Sequence, residues 1–169
     1  MTDADKAIVR AVEHDDYVGI KQAIKKGADL EQIVENELNE NEESLLFYAL
    51  HCKCSFDTVK LLIESGVDIE RYDDQGVSFL DEAIVTGDLE LVRYLVEEKG
   101  MDVNATQRRS GFTPLMQAAS YGYTDIVAFL LEKGADIEAR DSSGLNVLEY
   151  TKKLQRKKMQ QYLEEHMAK

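Results

Sequence analysis

The chain has 169 residues, 44% of them hydrophobic, and a formal net charge of −13. That length suits one domain, and the apolar fraction suffices for a core. With 33 acids against 20 Lys and Arg, the chain lacks the clustered bases that nucleic-acid phosphates demand. No apolar run approaches the roughly 18 residues of a membrane-spanning helix.

The start, Met1-Thr2-Asp3-Ala4-Asp5-Lys6, has neither a basic n-region nor an apolar h-region, so no secretory signal is expected. Cys52 and Cys54, the two cysteines, make no disulfide framework, which fits a reducing, cytoplasmic setting. The charge is uneven: residues 1–100 hold 24 acids and 10 bases, residues 101–169 hold 9 and 10. Acidic surface favours solubility and a monomer, and it also selects among partners.

Residues 3–30 read as a first pair of helices. Ile8, Val9 and Val12 form one apolar stripe, and Val18, Ile20, Ala23 and Ile24 the next. Lys6, Arg10, Glu13 and His14 cover the other face, as a terminal repeat requires. The following stretch, 30–43, is acidic and is expected to be an extended loop or a protruding finger. A second unit (39–71) holds Ser44-Leu45-Leu46-Phe47-Tyr48-Ala49, then Val59, Leu61-Leu62 and Gly66-Val67-Asp68. His51-Cys52-Lys53-Cys54 lies inside it. Soft thiolates beside an imidazole suit a transition metal, but structural zinc needs four ligands and no second pair exists. These residues are therefore expected to serve turn and core.

The third unit (73–104) holds Ser78-Phe79-Leu80-Asp81-Glu82-Ala83, Gly87, Leu91-Val92, Leu95-Val96 and Gly100-Met101-Asp102. The fourth (108–140) is the clearest. Thr113 suits an N-cap and Pro114 the first helical position. Gly122 breaks the helix, and Thr124-Asp125 start another with an acid where the helix dipole favours it. Ile126, Val127, Leu130 and Leu131 form its stripe. Gly134 suits the left-handed position beyond Lys133. The fifth unit (141–166) has Thr151 at the central alanine and Gln155 at the mid-repeat glycine, with Lys152, Lys153, Arg156, Lys157 and Lys158 on a basic surface. Leu148, Leu154, Met159, Tyr162 and Leu163 are left to pack.

Ala49, Ala83 and Ala118 are 34 and 35 residues apart, a period that marks a solenoid. With Thr113-Pro114-Leu115, the recurring Gly-x-Asp, and the turns Asp73-Asp74-Gln75-Gly76 and Asp141-Ser142-Ser143-Gly144, the chain resembles the ankyrin-repeat family. The resemblance implies an all-α solenoid of about five helix-turn-helix units with short β-turn fingers, a single domain over residues 1–169. There are departures. The motif histidine is Phe47, Asp81 and Met116, so its usual side-chain bond to the motif threonine or serine is expected to be missing. One residue is added near Cys52–Cys54 and another near Glu97–Lys99. Ala11 to Ala49 spans 38 residues, so a loop has grown there.

The resemblance further implies that a partner protein is held by the turn tips and the exposed side of each first helix. Carried over unit by unit, those positions are Tyr72, Asp74, Gln75, Val77, Arg109, Phe112, Ser120, Tyr121, Arg140 and Leu145. Tyrosine and arginine are enriched at interface hot spots, while Phe112 and Val77 have no evident core role in the sequence. The reading is a non-catalytic interaction module that acts as a small stand-alone inhibitor, adaptor or escort. It has no cofactor and no enzyme activity, since no glycine-rich phosphate loop, metal pair or nucleophile–base pair is recognisable. The competing reading is an accessory protein that contacts metal or haem through His51, Cys52 and Cys54.

Overall fold

A computed structural model describes residues 2–36 and 41–167. The chain divides into two compact units, Met1–Arg71 and Tyr72–Lys169.

In the first unit, α1 (Asp3–Glu13) and α2 (Tyr17–Lys25) pack against each other, α1 packs on α3 (Leu45–His51), and α2 packs on α4 (Phe56–Glu64). Helix α1 opens on a reciprocal cap between Thr2 and Asp5. Ile8, Val12 and Ile20 are fully buried, as their spacing predicts. Val18 is not: it is 61% exposed.

The stretch expected as an extended loop or a protruding finger holds a pair of antiparallel strands, with residues 37–40 outside the described set. Strand β1 (Ile33–Asn36) pairs with β2 (Asn41–Ser44), with Val34 opposite Glu43 and Glu35 opposite Glu42. Both strands pack on α3. Val34 is buried while Ile33 and Glu35 are exposed, the alternation of a half-buried strand. Acidic composition concealed that period of two. Ser44 then caps α3, its hydroxyl accepting from the Phe47 N–H at 3.4 Å.

The second unit holds three helical hairpins: α5 (Phe79–Thr86) with α6 (Leu89–Arg93), α7 (Pro114–Tyr121) with α8 (Thr124–Glu132), and α9 (Val147–Lys153) with α10 (Lys157–Met167). Helix α7 packs on both α5 and α9, and α6 on α8. Ala83, Ala118 and Ala119 are fully buried, and their small side chains admit the neighbouring helix. Phe79, Ile84, Leu91, Leu95, Leu115, Phe129 and Leu130 fill the rest of the core. Met159 and Leu163 anchor α10, but Leu154 ends α9 and is 42% exposed.

The added residues appear as local distortions. After α6, residues Tyr94–Glu98 form a π-helical turn, with the Lys99 N–H donating to the Tyr94 carbonyl five residues back. The equivalent place in the next repeat closes as an ordinary α-turn, Lys133 to Phe129. One extra residue in a helix is what a π-turn absorbs. Before α4, the extra residue lengthens the corner around Lys53, whose φ is +59°. Each helical hairpin bends through a left-handed residue at this point: Asp15, Lys53, Gly87, Gly122 and Gln155. The non-glycine members carry strain that glycine would avoid.

The recurring Gly-x-Asp also has a mechanical reason. Asp29, Asp68, Asp102 and Asp136 each accept, through Oδ1, the N–H two residues on, at 2.8 to 2.9 Å. Such turns stabilise a chain reversal locally. The side chain two residues past the aspartate then reaches the next repeat: Glu31 accepts from the Asp68 N–H and Asn104 from the Asp136 N–H. This ladder sets register within each unit.

Candidate partner-binding face

The turn of the third repeat begins at Asp73. Its Oδ1 accepts the N–H groups of Gln75 and Val77, both at 2.8 Å. Gly76, at φ +78°, lies against the next turn, and a Cβ there would fall 2.4 Å from the Gln107 carbonyl oxygen. The position matching Asp73 in the fourth repeat is Arg108, which cannot accept those bonds. Thr106 and Ser110 take over: the Thr106 hydroxyl donates to the Phe112 carbonyl, and the Phe112 N–H donates weakly to Ser110.

Freed from the turn, the Arg108 guanidinium points inward. It donates to Gln117 Oε1 at 2.8 Å and lies 3.5 Å from Asp81 Oδ1. Asp81 is fully buried at the position of the motif histidine. Its Oδ2 accepts from the Ser78 hydroxyl (2.8 Å) and the Ser78 N–H (2.9 Å). The side-chain bond expected to be missing is therefore present in this repeat, because a carboxylate accepts the serine proton as an imidazole would. At Phe47 and Met116 no such bond can form. Burial pushes the Asp81 carboxyl up, against the opposing pull of Arg108 and Ser78. Burial costs an ion heavily unless it is paired, so acid and base depend on each other across the repeat junction.

Between these two turns runs a groove of about 630 Å³. Tyr72, Asp74, Gln75 and Val77 line it from one turn, Arg109 from the other, together with Asp73, Gln107, Arg108 and Ser110. Half of the ten expected positions thus meet in one place. Of these, Asp74, Gln75 and Arg109 are exposed, while Tyr72 and Val77 are half-buried.

The other five lie outside this groove. Phe112 is not a bare tip: it is half-buried, its ring 4.9 Å from that of Tyr150 in edge-on contact and under the Arg108 guanidinium. That is packing between repeats, which corrects the reading of Phe112 as a residue without a core role. Ser120 is half-buried and returns its hydroxyl to the Gln117 carbonyl. Tyr121 is 44% exposed and stacks on Tyr123. Arg140 is exposed but held by Glu149 (2.8 Å) and the Gly144 carbonyl. The Asn146 N–H and Arg140 together hold the Glu149 carboxyl below its ordinary value. Leu145 is half-buried, its N–H donated to Asp141. The turn of the fifth repeat reaches the fourth through Ser142 N–H to the Ser110 carbonyl at 2.7 Å.

Arg108 was not among the expected residues. The signal that would have found it was already in the sequence: an arginine where the turn demands an aspartate, and an aspartate where the helix demands a histidine.

In the first unit, His51 pairs with Glu43 of β2. The Cys54 thiol donates to the Val12 carbonyl at 3.1 Å, and burial pushes its pKa up to about 12. Burial raises Cys52 as well, while Tyr48 opposes. Among the described residues no three His, Cys, Asp or Glu side chains come together as a metal would need. Nor does any described helix have the length and apolarity to cross a membrane.

A family model described as ankyrin repeats (3 copies) matches residues 8–107 and 83–141. The chain is 41% identical over 122 residues to palmitoyltransferase AKR1 of Lachancea kluyveri, covering 70% of this chain and 16% of that protein. It is 41% identical over 88 residues to the E3 ubiquitin-protein ligase hecd-1 of Caenorhabditis elegans, covering 52% of this chain and 3% of that one. To protein phosphatase 1 regulatory subunit 27 of Mus musculus it is 37% identical over 78 residues, 46% of this chain and 49% of that protein. The chain spans only a small share of the first two. The period, the Gly-x-Asp turns, the stacked helical hairpins and a family match over most of its length make the chain a member of the ankyrin-repeat family.

Proposed function

We propose that this chain is a non-catalytic protein-interaction module that holds one partner protein on the turn face of residues 72–145, as an inhibitor, adaptor or escort. One observation carries the reading. The groove between the third and fourth turns is lined by exposed Asp74, Gln75 and Arg109 over half-buried Tyr72 and Val77. That is a polar rim around an apolar patch on a rigid support, the anatomy of an interface. Rigidity avoids the cost of ordering a loop on binding. The relatives named for an enzymatic activity match this chain over a small part of their length, so their activities are not transferred. Against the metal or haem alternative, a metal ligand must be a thiolate, and burial raises both thiols, so that form costs more here. The reading places the chain in the cytoplasm as a monomer.

The test is affinity capture from native extract with wild type and a Gln75→Ala, Tyr121→Ala variant, both checked for folding. A protein enriched by wild type and lost by the variant supports this face. A partner retained by the variant moves the site elsewhere, and no partner at all overturns the module.

A further inference from the structure

Within the two turns that line the groove, each first charged residue is spent on the fold. Asp73 holds its own turn, and Arg108 is drawn inward to Asp81 and Gln117. Each second charged residue is left over. Asp74 and Arg109 are exposed, line the groove from opposite turns, and form no ion pair or side-chain hydrogen bond among the described residues. They do not pair with each other, so the groove keeps an acid on one side and a base on the other. The equivalent residue of the fifth repeat, Ser142, is uncharged and has its N–H committed to Ser110. The separated pair is thus not repeated between the fourth and fifth turns.

We infer that the groove between the third and fourth turns recognises an extended protein segment carrying a basic and an acidic side chain on either side of an apolar residue. The base meets Asp74, the acid meets Arg109, and the apolar side chain covers Tyr72 and Val77. Charge complementarity commits the occupant: a segment of one sign would oppose one wall, and an uncharged segment would desolvate both charges without replacing their water. Arginine gives the acid a forked donor that lysine would not. Alternate side chains of an extended segment share a face, so the three contacts fit one strand-like stretch. The inference rests on the protein-binding reading of this same face and adds the chemistry of the partner.

The experiment is selection from a displayed library of random short peptides, against wild type and against the charge-reversed variant Asp74→Lys, Arg109→Glu. Both substituted residues are exposed, and thermal melts confirm that the variant folds. Wild type is expected to enrich peptides with base, apolar residue and acid in a fixed order, and the reversed variant the opposite order. A peptide selected on wild type should lose about tenfold in affinity on each single substitution, and its affinity for wild type should fall as salt rises. Enriched peptides without the paired charges, no enrichment, or an order unchanged by the reversal would overturn the inference. If a partner captured from extract is lost on Gln75→Ala, Tyr121→Ala but kept by the reversed variant, the interaction module stands and the charge pairing falls.

Discussion

Asp81 and Arg108 show how one substitution from a repeat pattern calls for another. Removing the base alone strands a buried carboxylate, so Arg108→Ala should cost about 3–5 kcal/mol at neutral pH, read by urea unfolding. The loss should shrink in acid, where the carboxyl takes up a proton. Asp81 itself makes wild-type stability depend on pH. Its folded pKa lies above the ordinary 3.8, so the native state holds the proton more tightly than the unfolded chain. The contribution is complete below 3.8 and is lost as pH rises through the raised value. Asp81→Asn should therefore gain on wild type steadily across that window; parallel curves would show that the carboxyl is not shifted. Cys54 offers a second residue-scale check. With its thiol held up to about 12 and donated to Val12, it should resist alkylation at neutral pH in the folded protein and react freely in denaturant.

The turns and corners differ in how tightly they are confined. Gly76 and Gly134 share a left-handed backbone, at φ +78° and +87°. A Cβ at Gly134 would meet nothing, whereas at Gly76 it would strike the Gln107 backbone. Gly134→Ala should cost roughly 1–2 kcal/mol, the penalty for that conformation. Gly76→Ala should exceed it, since the fourth turn must also move. Equal losses in thermal or denaturant melts would mean that the two turns are not in contact. The π-turn at Tyr94–Glu98 puts Glu97 where Lys133 bonds it at 2.8 Å, and that bond holds the Glu97 carboxyl below its ordinary value. The distorted turn thus carries a link between the third and fourth repeats.

Across the molecule, stability comes from repeats burying one another's apolar faces, since no single helical hairpin encloses a core. Leu130 is fully buried between neighbours. Leu130→Ala should cost roughly 2–5 kcal/mol, according to how far the cavity collapses. Unfolding unchanged by that substitution would remove α8 from the core. The same stacking aligns the third and fourth turns and leaves a groove where two loops alone would be mobile.

The period of the alanines, the left-handed glycines and the Thr-Pro cap determined the repeat architecture, because each is a local requirement of backbone geometry or of close helix approach. The places of the two added residues were legible for the same reason: a shifted period marks an insertion wherever it falls. Tertiary structure decided the rest. It paired two strands within the acidic stretch, because α3 offers Val34 a surface to cover. It took Phe112 from the exposed tips by placing Tyr150 beside it. It joined Arg108 to Asp81 across 27 positions of sequence, and so left Asp74 and Arg109 as the charges facing the groove. Which of two adjacent like charges is spent on the fold depends on what lies beneath the turn, and a single sequence does not contain that neighbour.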